Sequence, residues 1–321
     1  MRDAFAAELT RLASEDERIV LLSGDIGNRL FDAYKSRFQD RFINCGVAEA
    51  NMMGTAAGMA LCGLRPITYT IASFNTTRCL EQIRVDLCYH RLPVIVVGIG
   101  AGLSYASLGA THHACEDIGF LRLLPEMTVI CPGDPVEVRL ALRAALRHSG
   151  PVYLRLGKKG EPVVHSQEPP FEIGKGILLR EGSDVCLLST GTILSVAAGA
   201  AALLERQGVS AQVVSFPTVK PLDEELLARV FSLFPLVVSL EEHSLLGGLG
   251  GSLAEWLAIQ PKGRAVLRCI GTPDAFLRET GEEAHARDRL GLTPEAVTQK
   301  ILSWLLEVRR EKVKDVDWAR L

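Results

Sequence analysis

The 321-residue chain contains no CxxC pair, no HExxH helix and no Walker A loop. These absences remove the common spacings for a zinc or dithiol site, a zincin protease and a P-loop nucleotide site. No apolar run reaches the ~18 residues needed to cross a bilayer. The first stretch, MRDAFAAELTRLASEDERIVLL, carries charges throughout and has no signal-peptide core. Lys plus Arg total 35 against 38 Asp plus Glu, a net charge of −3. There is therefore neither a basic surplus to attract nucleic acid nor an acidic tail. No self-similar period of about 20–50 residues is visible, which excludes a solenoid. The eight cysteines (45, 62, 79, 88, 115, 131, 186 and 269) stand singly in apolar runs. They read as buried free thiols of a protein in the reducing cytoplasm.

What is present points to an enzyme-sized α/β chain. Hydrophobic residues make up 48% and charged residues 23%, enough apolar surface for a core in a soluble protein. At roughly 100–200 residues per domain the length suits two domains. Phe5, Leu9 and Leu12 recur at helical spacing in the first stretch. Then RIVLLSGD and FINCG read as strands, AEANMMGTAAGMALCG as a helix, RPITYTI as a strand and TTRCLEQIRVDLCYH as a helix. LPVIVVGIG has no polar alternation and reads as a strand buried on both faces. A helix around CEDIGFLRLL, the strand MTVICPGD, the helix PVEVRLALRAALRHS and the strand PVYLRLG follow. The segment KKGEPVVHSQEPPFEIGKG breaks this alternation with Pro, Gly and charge. A second alternating unit starts at DVCLLSTG and runs to AVLRCIG. The expectation is two α/β domains of parallel-sheet sandwich type, residues 1–160 and 176–321, joined by a linker over 161–175. The charged end VRREKVKDVDWARL reads as fraying, with Trp318 as a docking residue.

Three stretches carry candidate chemistry. Gly247, Gly248, Gly250 and Gly251 follow a strand and precede a helix without forming GxGxxG, so close strand–helix packing is a better reading than a nucleotide site. GDIGNRL at 24–30 has a Gly-Asp but not the downstream Asn pair of a diphosphate–metal loop. GATHHACED at 109–117 follows the buried strand VIVVGIG, and Ser104 lies between them. Ligands of parallel sheets bind beyond the carboxyl ends of the strands, so His112 and His113 mark a functional loop. Adjacent rings point apart and no third ligand is offered, which disfavours a metal. Glu49, in NCGVAEANMMG, is a single acid in an apolar segment after another strand end. Either it snorkels to water or pairs with Arg41, Arg65 or Arg78, or it is buried without a cation. A carboxyl in the second situation keeps its proton to higher pH and can hydrogen-bond strongly to a ring nitrogen.

FINCGVAEANMMGTAAGMALCGLRPITYTIASF, RCLEQIR, LPVIVVGIGAGLSYASLGATHHACEDIGFLRLLPEMTVICPGD and GPVYLRLGK resemble the pyrimidine-binding and C-terminal domains of transketolases. The similarity runs from about residue 1 to residue 320. The family's N-terminal diphosphate-binding domain with its metal loop has no counterpart, so the resemblance implies the second subunit of a split transketolase. It implies thiamine diphosphate as cofactor. Glu49 would bond the pyrimidine ring nitrogen and so promote proton removal from the thiazolium. Phe74 would pack on the aminopyrimidine, with Asp25 near the thiazolium and Arg78 also lining the cofactor. His112 would contact the donor carbonyl oxygen and assist proton transfer. His113, where the family usually has glutamine, and Ser104 would face substrate. Arg2 and Lys158 fall where the family places basic residues for a sugar phosphate, although lysine there keeps the charge and loses bidentate geometry.

Two departures bear on substrate. Gly100 stands where the family carries a phosphate-binding histidine, and Leu108 where it carries an aspartate for the hydroxyl beside the carbonyl. A site that loses its hydroxyl partner loses much of its preference for that hydroxyl. The resemblance thus implies ketol transfer with a modified or less hydroxylated sugar. It also implies a homodimer core built on the helix over 48–63, joined by two N-terminal subunits that hold Mg²⁺ or Ca²⁺ with the diphosphate. The rival readings are the beta subunit of a 2-oxo acid dehydrogenase, a deoxyxylulose-phosphate synthase-like enzyme and a non-catalytic scaffold.

Overall fold

The computed structural model of the chain describes residues 1–27, 29–261 and 265–318, the side chains of 311–318 excepted. The first part comprises α1 (Arg2–Ala13), β1 (Ile19–Ser23), α2 (Asp32–Arg37), β2 (Phe42–Asn44), α3 (Glu49–Leu61), β3 (Arg65–Ile71), α4 (Ala72–Thr76) and α5 (Leu80–Gln82). It continues with β4 (Ile95–Ile99), α6 (Asp117–Arg122), β5 (Thr128–Ile130), α7 (Pro135–Arg147) and β6 (Val152–Leu156). The second part holds β7 (Ile177–Arg180), β8 (Val185–Thr190), α8 (Leu194–Glu205), β9 (Ala211–Ser215), β10 (Thr218–Lys220), α9 (Glu224–Leu233) and β11 (Leu236–Ser244). It ends with α10 (Leu249–Ala258), β12 (Val266–Thr272), α11 (Glu283–Arg289) and α12 (Pro294–Trp318). The helix expected over TTRCLEQIRVDLCYH is irregular: α5 runs on as a π-helix over Ile83–Tyr89. Residues 308–318 of the charged end form the last turns of α12, and the expectation about the Trp318 side chain lies outside the described residues, as does Asn28 of GDIGNRL.

Among the described residues, seven strands make one sheet in the order β10-β5-β6-β4-β3-β1-β2 and five make another in the order β12-β11-β8-β9-β7. The fold is α/β with two sheets, as the alternation implied. Parallel pairing prevails in both sheets, with an antiparallel strand at one edge of each: β10 pairs antiparallel with β5, and β7 antiparallel with β9. An edge strand has a neighbour on one side only, so it needs no crossover helix and can run either way. β10 also comes from the second half of the chain, so the first sheet is completed by residues 218–220.

The central strands are apolar on both faces because both faces are covered. Ile19, Leu21, Ile67, Ile95, Val97 and Leu154 pack with Phe5 and Leu9 of α1 and Leu142 of α7. Their neighbours Val20, Leu22, Val96 and Tyr153 point the other way, onto Met52, Met53 and Ala56 of α3. Each such Leu, Ile or Val contributes roughly 1.5–3 kcal/mol on burial, so a one-residue register slip would be costly. Two of the glycines at the start of α10 serve close packing: a Cβ on Gly248 would lie 1.9 Å from a Glu241 oxygen, and one on Gly250 2.8 Å from Cys269 Sγ, whereas one on Gly251 would meet nothing within 4 Å. Five cysteines are buried, and Cys62 is exposed on the turn after α3.

His243 at the end of β11 ties the two parts together. Its Nε2 accepts the Gly119 N–H at 3.2 Å and its Nδ1 faces the Ser244 carbonyl at 2.8 Å. Burial pushes its pKa down to about 4, against the pull of Asp117. Below its ordinary value near 6.5 the unfolded chain takes up a proton that the folded chain refuses. Stability from this group is therefore lost as pH falls from 6.5 towards 4, by about 3 kcal/mol in full. Equilibrium unfolding of the wild type and of His243→Gln between these pH values should show a shallower slope in the variant; equal slopes would contradict the assignment.

Candidate active site

β1, β2, β3, β4 and β6 are mutually parallel, so their carboxyl ends share one rim. Each rim loop delivers a residue singled out by the sequence: Asp25 after β1, Glu49 after β2, Phe74 in α4 after β3, His112 after β4 and Lys158 after β6. Gly46, at φ +67°, turns the chain between β2 and α3, a conformation that glycine adopts without a Cβ penalty. Glu49 is the first residue of α3 and only 4% exposed. Of the two readings of this acid, the structure shows the ion pair: Arg78 Nη1 lies 3.0 Å from Oε1. Arg41 is engaged by the Ala13 and Asp16 carbonyls, and Arg65 by that of His148.

Arg78 begins a continuous row. Its guanidinium carbon lies 3.6 Å from the Phe74 ring centroid. The Phe74 and His112 rings are 5.1 Å apart, and those of His112 and Tyr105 6.1 Å. Lys158 Nζ then sits 4.8 Å over the Tyr105 ring. Glu49, Arg78, Phe74, His112, Tyr105 and Lys158 thus form one connected surface, and Tyr105 is the member that the sequence reading missed. Thr111 Oγ1 lies 2.9 Å from His112 Nδ1. Burial, then the Arg78 charge, then His113 lower the His112 pKa, which keeps the ring neutral near pH 7.

The other candidates lie to the side. His113 is buried and lines a cleft of about 180 Å³ with Glu116, Ser244 and Asp274, a cleft that His112 does not line. Its Nε2 has no hydrogen-bond partner. The structure therefore does not bring His113 into the row. Ser104 Oγ is buried without a partner, and Leu108 is exposed in the single turn over Ala106–Leu108. Arg2 Nε is also buried without a partner, and the Arg2 charge bears on the Tyr105 hydroxyl. Asp25 is exposed, at φ +58°, and accepts a 2.8 Å hydrogen bond from Asn44 Nδ2.

Gly100 and Tyr105 are complementary. A Cβ on Gly100 would stand 2.0 Å from the Tyr105 ring, and its φ of +79° is unfavourable for an L side chain. The tyrosine thus fills the space into which a side chain at 100 would project. Gly100→Ala should cost about 1–3 kcal/mol from forced packing. In a double-mutant cycle read by urea unfolding, Tyr105→Ala should return that packing part and leave the backbone strain. Additive effects would contradict the contact.

The fold and the rim define a class: a two-part α/β chain whose candidate site stands at the carboxyl ends of the first sheet. Residues 1–161 match the family of the transketolase pyrimidine-binding domain and residues 174–297 that of the transketolase C-terminal domain. The chain is 36% identical to a 6-deoxy-6-sulfo-D-fructose transketolase subunit of Clostridium sp. (strain MSTE9), covering 93% of this chain and 92% of that one. It is 32% identical to an apulose-4-phosphate transketolase subunit of Phocaeicola vulgatus, covering 85% of this chain and 87% of that one. A solved split-gene transketolase, an inactive beta4 tetramer, superposes with a TM-score of 0.85 at 36% identity, covering 95% of this chain and 97% of that one. The chain belongs to the transketolase family.

Proposed function

We propose that this chain is the C-terminal subunit of a split, thiamine diphosphate-dependent transketolase, which moves a two-carbon ketol unit from a ketose to an aldose. The carrying observation is the buried Glu49 carboxyl at the rim, linked through Arg78 to the Phe74 ring. A carboxyl that can exchange a hydrogen bond with a ring nitrogen, next to an aromatic ring, fits an aminopyrimidine. Thiamine diphosphate, when bound, supplies the carbon nucleophile and electron sink for cleaving the bond beside a ketose carbonyl. Glu49 would hold the pyrimidine ring nitrogen and exchange a proton at that atom, while Arg78 fixes the carboxyl. Phe74 would pack on the pyrimidine, and Asp25 would stand towards the thiazolium. His112, neutral near pH 7, can take and return a proton at a substrate oxygen. Lys158 and Arg2 place positive charge near Tyr105, where an anionic end of the substrate would be held.

The partner would be a chain carrying the diphosphate-binding domain, with Mg²⁺ or Ca²⁺ held there. A homodimer core through α3, joined by two partner chains in the cytoplasm, completes the reading. Val47 and Leu61, exposed near the two ends of α3, offer apolar surface for it. The apolar Leu108 and the Tyr105 ring against Gly100 favour a modified or less hydroxylated sugar. The relatives named for 6-deoxy-6-sulfo-D-fructose and apulose-4-phosphate support that direction. Product analysis of the mixed subunits tests it. Carbon–carbon transfer without carbon dioxide is expected, faster from modified than from ordinary pentose phosphate donors. Decarboxylation of a 2-oxo acid would overturn the reaction class, and full activity on ordinary pentose phosphates would overturn the substrate preference.

A further inference from the structure

The loop that carries His112 is anchored by the second part of the chain. Its neck is an isolated bridge: Gly102 N–H donates to the Ala114 carbonyl at 3.0 Å and Ala114 N–H to the Gly102 carbonyl at 2.9 Å. Beyond the neck, Leu103 and Ala106 are buried in the core that α8, β8, β11 and α12 build, not in the core of the first sheet. Glu242 of β11, fully buried, accepts the Leu103 N–H on Oε1 at 2.7 Å. Its Oε2 accepts from Arg287 Nε of α11. Arg287 is itself held by Glu283, with Nη2 2.7 Å from Oε1. On the other side of the neck, Arg155 Nη2 donates to the Ala114 carbonyl at 2.7 Å and to the Glu242 carbonyl at 3.0 Å. A Cβ on Gly102 would lie 2.4 Å from Glu242 Oε1, so the loop backbone runs directly against this carboxylate.

We infer that Glu242, backed by Arg287, is a positioning residue through which the C-terminal domain sets the His112 loop in register with Phe74 and Glu49. The inference rests on the proposed role of His112. A charge-assisted bond to a buried N–H is stronger than a neutral one, and a misplacement of about 1 Å at a reacting group costs on the order of a hundredfold in rate. The second domain thereby takes part in the reaction without touching substrate.

The test uses Glu242→Ala, Arg287→Met, which leaves β11 unchanged, and the conservative Glu242→Gln. Amide hydrogen exchange of peptide 102–114 and the His112 titration are followed in the free chain, and kcat and KM in the complex with the partner subunit. Glu242→Ala and Arg287→Met should raise exchange in 102–114 at least tenfold while β8 and α8 stay protected. The His112 titration should move up as its burial is lost. Turnover should fall at least tenfold with a smaller change in KM. Glu242→Gln, whose amide oxygen still accepts the Leu103 N–H, should restore most of the protection and rate. Unchanged exchange, a loosened loop with unchanged kcat, or a lost rate with unchanged exchange and titration would each overturn the inference. His112→Gln separates the two readings: full turnover in that variant would remove the role of His112 itself, whatever the Glu242 variants show.

Discussion

Glu49→Gln should lower turnover of the assembled enzyme by about a hundredfold to ten-thousandfold, the range for removing a positioned acid–base group. Glutamine keeps the shape of the side chain and can still meet Arg78, but it cannot exchange a proton with a ring nitrogen. The same variant should change stability little. Glu49 is 4% and Arg78 44% exposed, so water reaches the guanidinium while the amide oxygen still accepts its N–H, and the loss should stay near about 1 kcal/mol. A large loss of kcat with a urea midpoint near that of the wild type is the expected pattern. Turnover within a few-fold of the wild type would place Glu49 among ordinary ion-paired acids. Loss of both rate and stability would make it a structural residue.

The second large effect is on stability. Asp117 and Arg155 form an ion pair at 2.8 Å, each side chain 1% exposed. Tyr153 donates its hydroxyl to the same carboxylate, and Arg155 bonds the Ala114 and Glu242 carbonyls. Asp117→Ala leaves a buried guanidinium without its counter-charge and should cost about 3–5 kcal/mol. Arg155→Met should cost less, because methionine fills apolar space and Asp117 keeps the tyrosine. Urea unfolding of the two variants measures the difference. A cost below about 1 kcal/mol for Asp117→Ala would mean that water reaches Arg155.

Much of this architecture was legible from sequence because it rests on periodicity. The apolar runs IVLLS and IVVGI read as buried strands, the second covered on both faces, and their alternation with helices implied a parallel sheet. Strand ends then located Glu49 and the loop of His112 and His113 near one rim, and Phe74 was added only by the resemblance. The edge strands were not legible: Thr218–Lys220 is three residues long, and its antiparallel docking on β5 depends on how the two parts meet. Arg78 was visible as one of three partners open to Glu49, but only tertiary packing selects it, since Arg41 and Arg65 are taken by carbonyls on the first domain's other elements. Tyr105 carried no signal beyond an aromatic in a glycine-rich loop, and its role emerges from the missing side chain at Gly100. His112 and His113 were legible as a pair, but not which ring faces the rim, because adjacent loop residues have no fixed period.

The most direct test of the central claim is a calorimetric titration of thiamine diphosphate with Mg²⁺ into this chain alone and into its mixture with a chain carrying the diphosphate-binding domain. The account predicts heat of binding only in the mixture, where the rim bearing Glu49 and Phe74 meets the diphosphate site. Absence of binding in the mixture, with both chains folded, would contradict it and leave the rim without a cofactor.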